Sequence, residues 1–390
     1  MSLPPMLIDV SRLLGARLSG RRPTGVDRVS LEYVRHFGGG ARALICSGRF
    51  RAVLPRDVSA MTFAALLDPR IRFAPIATRI MGGALSCALT TPAMTGCILL
   101  NTGHTGLADQ SGISACARLG AKPVVFVHDL IPIQHPEYCR PGASERHGSR
   151  MRNALAVASG IIANSRSTLG SLTQFAERSG LRCPPAVVAP LAPASLLEAG
   201  PRPIPGPYFV MIGTIEPRKN HALLLNVWRR LAERLGDTAP RLVIIGRRGW
   251  ECENVIDLLE RCAPLSGIVL ERNDCSDAEL AAYLRHAQAL LMPSFAEGFG
   301  LPVVESLAIG TPVIASDLDV FREVAGAVPE YADPLDGPRW GDLVMRYADG
   351  GSSTRQAQLQ RLTAYQPVTW RGHFAVVEEF LCRLTGVQPP

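Results

Sequence analysis

Short apolar runs rich in Val, Ile and Leu recur along the chain, and each is followed by a stretch with apolar residues at helical spacing. Strands alternating with helices in this way predict a parallel α/β fold. In the first half, strands are expected at residues 7–10, 43–46, 97–100, 124–127, 161–163 and 186–188. In the second half they are expected at 208–212, 241–245, 268–270, 289–292 and 312–315. Between the halves prolines crowd at Pro190, Pro193, Pro201, Pro203, Pro205 and Pro207, a stiff exposed connector. Two domains follow, residues 1–195 and 206–368. The tail, residues 369–390, places Phe374, Val377, Phe380, Leu381 and Leu384 on one helical face and is expected to pack back on a domain.

In open α/β sheets, ligands bind beyond the carboxyl ends of the strands. The unusual polar residues of this chain gather there. His128-Asp129 follows one expected strand, Asn164-Ser165 another, and Gly213-Thr214 a third, leading into Glu216-Pro217-Arg218-Lys219-Asn220. Gly246-Arg247-Arg248-Gly249-Trp250 follows the next.

The most informative segment is residues 294–305. Glu297 and Glu305, eight positions apart, are joined by Gly298-Phe299-Gly300-Leu301-Pro302 directly after the apolar run 289–292. Pro302 suits the first turn of a helix, where its missing N–H costs nothing. Free N–H groups at such a start attract phosphate, and Gly298 and Gly300 let backbone approach a ligand closely. Glu297 is expected at the mouth of a site and Glu305 in the first helical turns, one accepting from sugar hydroxyls, the other from a ribose diol. An ordinary loop with two solvated glutamates is the plain alternative, and the convergence of the other strand ends weighs against it.

Arg218 and Lys219, at another helix start, form a natural diphosphate clamp; a solvated basic loop is the alternative. His128 would bond a sugar hydroxyl or steady charge near a reacting carbon, against the reading of a satisfied histidine at a sheet edge. His104 is second in line. Thr24-Gly25-Val26-Asp27-Arg28 reads either as a helix cap or as a loop in which Gly25 admits an anionic or sugar ligand contacted by Arg28. Asp317-Leu318-Asp319 is read as incidental rather than as a metal site.

At 47% hydrophobic and 19% charged, the chain can bury substantial cores. No apolar run reaches membrane-spanning length; the uncharged stretch 80–108, interrupted by Pro92, fits a buried helix and strand. Ten cysteines without CxxC pairs or zinc-spaced histidines predict reduced thiols in a cytosolic protein, and the N-terminus lacks a basic-then-apolar signal pattern. A net charge of +7 favours anionic partners, but no basic block is interleaved with aromatics, so no nucleic acid partner is expected. In a chain that otherwise uses arginine, only Lys122 and Lys219 are lysines, which marks places suited to a compact point charge. No P-loop and no GxGxxG after the first strand is present, which argues against ATPases and NAD enzymes.

The segments Gly213-Thr214-Ile215-Glu216-Pro217-Arg218-Lys219-Asn220-His221, 242–246 and 293–323 resemble the GT4 family of retaining glycosyltransferases, densely over residues 208–325 and more sparsely through 24–28, 127–129 and 162–165. The resemblance implies the GT-B fold: two facing Rossmann-like domains with parallel sheets, an acceptor-binding N-terminal domain, a donor-binding C-terminal domain and a C-terminal crossover helix. It implies catalytic roles for His128, Arg218, Lys219 and Glu297. Donor contacts would come from Gly213, Thr214, Arg218, Lys219, Glu297, Gly298, Phe299, Gly300, Leu301 and Glu305, and acceptor contacts from Gly25, Arg28 and His128. Thr214 stands where many members carry Arg, which shifts diphosphate binding onto Arg218 and Lys219, and Asp319 where many carry Pro.

The activity implied is transfer of a hexose to a lipid-diphosphate-linked or growing surface glycan, with GDP-mannose the first choice of donor and a UDP-hexose the second. No cofactor and no metal are required. The enzyme would work in the cytoplasm, touching the anionic inner face of the plasma membrane. A GT-B phosphorylase or epimerase, or a non-catalytic nucleotide-sugar-binding protein, are the other classes. The donor base would fall near residues 272–275.

Overall fold

A computed structural model describes residues 3–48, 50–88, 94–108, 112–194 and 200–386. By its contacts the chain divides into two units. The first comprises Met1–Ile133, Ser144–Leu191 and Trp370–Pro390, and the second Gln134–Ala143 and Ala192–Thr369. The short segment Gln134–Ala143 thus leaves the first half of the sequence to join the second unit. The expected end of a first domain at residue 195 lies outside the described residues.

The strands of the first unit are β1 (Met6–Asp9), β2 (Ala41–Ser47), β3 (Phe50–Val53), β4 (Ile98–Asn101), β5 (Lys122–Val127), β6 (Gly160–Ala163) and β7 (Ala186–Val188). They form one sheet in the order β3-β2-β1-β4-β5-β6-β7. All its pairs are parallel except β2–β3, an antiparallel hairpin in which Ser47 faces Phe50. That hairpin corrects the expectation of a wholly parallel sheet. Gly48, at φ 55°, makes the tight reversal possible. Arg49 and Arg51 interrupt the apolar pattern that would have marked β3.

The second unit holds β8 (Tyr208–Ile212), β9 (Arg241–Ile245), β10 (Val269–Arg272), β11 (Leu290–Met292), β12 (Val313–Ser316) and β13 (Glu330–Ala332), ordered β10-β9-β8-β11-β12-β13. Every pair is parallel. Each of the expected strands is present within a residue or two of its predicted bounds. β3 and the three-residue β13, set between Pro329 and Pro334, were not anticipated.

The continuous apolar character of these strands has a physical cause: both faces of the sheets are covered. In β8, Phe209 and Met211 join a core with Trp228 and Trp340, while Tyr208 and Val210 join another with Leu284 and Phe321 on the opposite face. The uncharged stretch forms the end of helix Phe73–Ala88 and then β4; residues 89–93, with Pro92, lie outside the described residues.

Helix Trp370–Thr385 belongs to the first unit, burying Phe374, Val377, Phe380 and Leu381. A Cβ at Gly160 would stand 2.8 Å from the Phe380 ring, so glycine there permits the close approach. Lys122, flagged by its rarity, spends its ammonium on the Leu384 carbonyl at 2.9 Å in the last turn of this helix. That role is structural.

Candidate active site

In the second unit the strand order reverses between β8 and β11, and the loops beyond the carboxyl ends of these two neighbours carry the sequence's strongest signals. After β8, Gly213 adopts φ 145°. A Cβ there would meet the Lys219 side chain at 3.1 Å, so glycine makes room for the lysine. The chain then makes a single turn, Pro217–Lys219, and enters helix His221–Leu235 through Asn220 in the left-handed conformation. Asn220 anchors that turn by donating its amide to the carbonyls of Pro293 (3.2 Å) and Pro334 (2.8 Å).

After β11, Gly300 takes φ 93° and precedes helix Leu301–Ala308. A Cβ on Gly300 would lie 2.5 Å from the Phe321 ring, so the close approach excludes other residues. Pro302 occupies the first turn, as anticipated, and Glu305 sits one turn further in, 5% exposed.

The two loops meet at Glu297. Its Oε1 accepts from Lys219 Nζ at 2.5 Å and from Ser294 Oγ at 2.7 Å, and its Oε2 pairs with Arg218 Nη1 at 2.8 Å. Arg218 also donates to the Ala296 carbonyl (2.7 Å) and pairs with Glu216 (2.7 Å). The Phe295 N–H donates to the Arg218 carbonyl at 2.9 Å, closing the loops together.

Contrary to its expected place at the mouth, the Glu297 side chain is only 8% exposed. Burial by itself would raise its pKa, but the Arg218 and Lys219 charges overcome that and hold the carboxyl down at about 2. Burial pulls the Lys219 ammonium below its ordinary range, with Glu297 opposing. A carboxylate has about four lone-pair directions; the three contacts leave Glu297 one for a hydroxyl. Among the described residues, Lys219 gives Glu297 one of its three protons, which leaves two for an anion.

Gly298 and Phe299 follow Glu297 in the same loop, Phe299 buried, and Leu301 opens the helix. Thr214 is exposed beside Gly213. Two features had no sequence signal. Tyr138, from the segment Gln134–Ala143, stacks on Phe295 with ring centroids 5.0 Å apart. His221 is 1% exposed with neither ring nitrogen hydrogen-bonded, and burial lowers its pKa to about 3. Asp317 pairs with Arg322 on the surface (2.5 and 2.8 Å). Among the described residues no group of His, Cys, Asp and Glu could hold a metal ion. All nine described cysteines are free.

In the first unit, the order reverses between β1 and β4. Asp9 and Asn101, at these strand ends, share a 2.9 Å hydrogen bond. Burial pushes the Asp9 carboxyl up to about 6, Ser11 and Asn101 opposing. Sequence reasoning missed this pair, which is 92 residues apart. His128 is 7% exposed and its Nε2 bonds the Thr102 carbonyl at 2.7 Å. Thr24 caps helix Gly25–Phe37 in a capping box with Asp27, and Arg12 pairs with Asp27 at 2.7 Å. Gly25 is the exposed first residue of that helix and Arg28 is half-buried. No helix among the described residues is long and apolar enough to cross a membrane.

Residues 198–327 match the family described as Glycosyl transferases group 1. The serotype-specific mannosyltransferase WbdA of Escherichia coli is 30% identical over 233 residues, covering 55% of this chain and 28% of that one. The O-antigen chain mannosyltransferase B of Escherichia coli is 36% identical over 129 residues, 33% of each chain. The chain therefore spans a third or less of the length of these curated relatives. Among solved structures, Anabaena Alr3699/HepE in complex with UDP and glucose superposes with a TM-score of 0.68 at 15% identity, over 97% of this chain and 100% of that one. The fold is thus the two-unit, parallel-sheet architecture of GT-B proteins.

Proposed function

We propose, from the premise that residues 198–327 make this chain a member of glycosyl transferases group 1, that it is a retaining hexosyltransferase building a surface glycan, with GDP-mannose as donor. The observation that carries the reading is the Arg218–Lys219–Glu297 cluster, held by two loops at the switch point of a parallel sheet and adjoining the Gly300 helix start. Cleavage of a sugar–diphosphate bond leaves positive character on the sugar and negative charge on the departing diphosphate. Lys219, Arg218 and the amides at the helix start supply fixed opposite charge where the leaving group develops its own. The remaining acceptor position on Glu297 takes a hydroxyl of the donor sugar, and Glu305 takes the ribose. Gly213, Thr214, Gly298, Phe299, Gly300 and Leu301 line the diphosphate and sugar. The acceptor, a lipid-diphosphate-linked saccharide, is taken by the first unit, with His128, Gly25 and Arg28 as contacts. The protein works in the cytoplasm at the inner face of the membrane.

The relatives named as mannosyltransferases favour mannose. A UDP-hexose is the second reading, favoured by the fold likeness to a protein solved with UDP and glucose. The test is incubation with GDP-mannose or UDP-glucose, with and without a lipid-diphosphate saccharide, measuring release of nucleoside diphosphate. Acceptor-dependent release with one donor supports transfer. Acceptor-independent conversion of the sugar supports an epimerase, release only with inorganic phosphate a phosphorylase, and binding without turnover a non-catalytic protein.

A further inference from the structure

The first unit contains a group of side chains that the donor chemistry leaves unused. His104, His128 and His147 lie together, with ring centroids 5.5 Å apart for His104–His128 and 5.8 Å for His104–His147. Each contacts a backbone carbonyl through Nε2: Phe126 at 2.8 Å, Thr102 at 2.7 Å and Asp129 at 3.1 Å. A carbonyl can only accept, so each Nε2 carries a proton, and in the neutral rings of His104 and His128 the Nδ1 is an acceptor. Burial holds His104 well below its usual range and lowers His128.

Two arginines border the imidazoles. The side chain of Arg12 lies over Gly103, where a Cβ would stand 2.9 Å from its Cδ. Arg150 shares a face of helix Ala143–Val157 with His147, three residues before it. Arg150 Nε is buried without a hydrogen-bond partner, and among the described residues Arg150 forms no ion pair. Burial, then the charges of Arg146 and Arg12, push Arg150 below its ordinary range. The carboxylates in this neighbourhood leave Arg150 unpaired, and one of them already holds Arg12. Asp27 accepts from Arg12 and Thr24, and Asp129 from the Ile131 N–H. A half-buried guanidinium facing like charge, with an orphaned N–H, is costly unless an anion completes it.

We propose that Arg150 and Arg12 bind a phosphoryl group of a phosphorylated saccharide, whose hydroxyls donate to the Nδ1 atoms of His104 and His128. The inference rests on the reading that this unit takes the acceptor, and it names that acceptor's chemistry: an anionic phosphoester next to sugar hydroxyls. The guanidinium fork matches phosphate oxygens, and the neutral rings match hydroxyl donors.

The test is calorimetry with inorganic pyrophosphate in a Lys219→Ala background, which removes one of the second unit's two diphosphate cations and leaves Arg218 in both variants compared. Pyrophosphate should still bind, and the Lys219→Ala/Arg150→Gln double variant should bind at least about tenfold more weakly, the worth of one charge-assisted hydrogen bond. Equal affinity in the two variants, or no binding to Lys219→Ala, overturns the proposal. Arg150→Gln should melt at the same temperature as the wild type or above it, because it relieves like-charge repulsion; Arg150→Lys, which keeps the charge, serves if glutamine disturbs folding and should retain part of the affinity. Two further titrants separate the sources. Stronger Arg150-dependent binding of mannose 1-phosphate indicates a free sugar phosphate, and of a short alkyl diphosphate-linked saccharide a lipid-linked one; dependence with neither overturns the proposal. Binding of GDP-mannose or UDP-glucose to Arg150→Gln, measured alongside, judges the donor reading separately.

Discussion

Replacing Glu297 by glutamine removes one negative charge from a site where two cations converge and leaves the shape almost unchanged. The Glu297 carboxyl is held at about 2 against an ordinary 4.5. At 1.36 kcal/mol per pH unit, the folded protein favours the ionised over the neutral form by about 3 kcal/mol more than the unfolded chain does. Glutamine resembles the neutral form, so Glu297→Gln should lower the stability of the second unit by about 2–3 kcal/mol at pH 7, a drop of roughly 6–10 °C in Tm for a unit of this size. The pH dependence follows from the sign. A depressed carboxylate stabilises above about 4.5 and loses that contribution as pH falls toward 2, so the difference between wild type and variant should shrink across that window. A diphosphate restores the missing charge, so saturating pyrophosphate should raise the Tm of Glu297→Gln by more than it raises that of the wild type. Guanidinium and thermal unfolding, with and without pyrophosphate, measure all three. A variant as stable as wild type at pH 7, or one that pyrophosphate stabilises less, would refute the charge balance described for Arg218, Lys219 and Glu297.

Three other substitutions probe separate links. Gly213→Ala puts a methyl 3.1 Å from Lys219 at φ 145°, so calorimetry should find sugar-nucleotide affinity down by about tenfold or more, with a stability cost of about 1–3 kcal/mol. His221 titrates at about 3 when folded and near 6.5 when unfolded. A lowered histidine is lost as pH falls below 6.5, so denaturation of His221→Leu between pH 6.5 and 4 should show a slope shallower by up to about 1.4 kcal/mol per pH unit. An unchanged slope would mean that His221 is not buried neutral. Asp317→Ala removes only a surface pairing with Arg322, and both donor affinity and turnover should match wild type; a loss of turnover on that substitution would reinstate the acidic triplet as functional.

Much of the architecture was readable because both sheets are covered on both faces, which turns each strand into an uninterrupted apolar run and concentrates polar residues at its end. β3 and β13 escaped because arginines break one and the other is three residues long between prolines. The residues Gly300, Pro302 and Glu305 were legible for a local reason, since a strand, a glycine turn and a helix start follow each other directly. The burial of Glu297 was not, because it depends on Lys219 arriving from 78 residues away together with its neighbour Arg218. Tyr138 on Phe295 and Asp9 with Asn101 are likewise contacts between distant segments, and no spacing rule encodes them. Lys122 shows the converse: its rarity drew notice, yet its partner is a carbonyl 262 residues later.

The central claim is that Lys219 and its neighbours grip the diphosphate of a sugar nucleotide. Calorimetric titration of GDP-mannose and UDP-glucose into the wild type, Lys219→Ala and Glu305→Ala tests it most directly. The account predicts measurable binding of one donor to the wild type, weakened by at least about tenfold in both variants. Undiminished affinity in Lys219→Ala, or no affinity of the wild type for either donor, would contradict it.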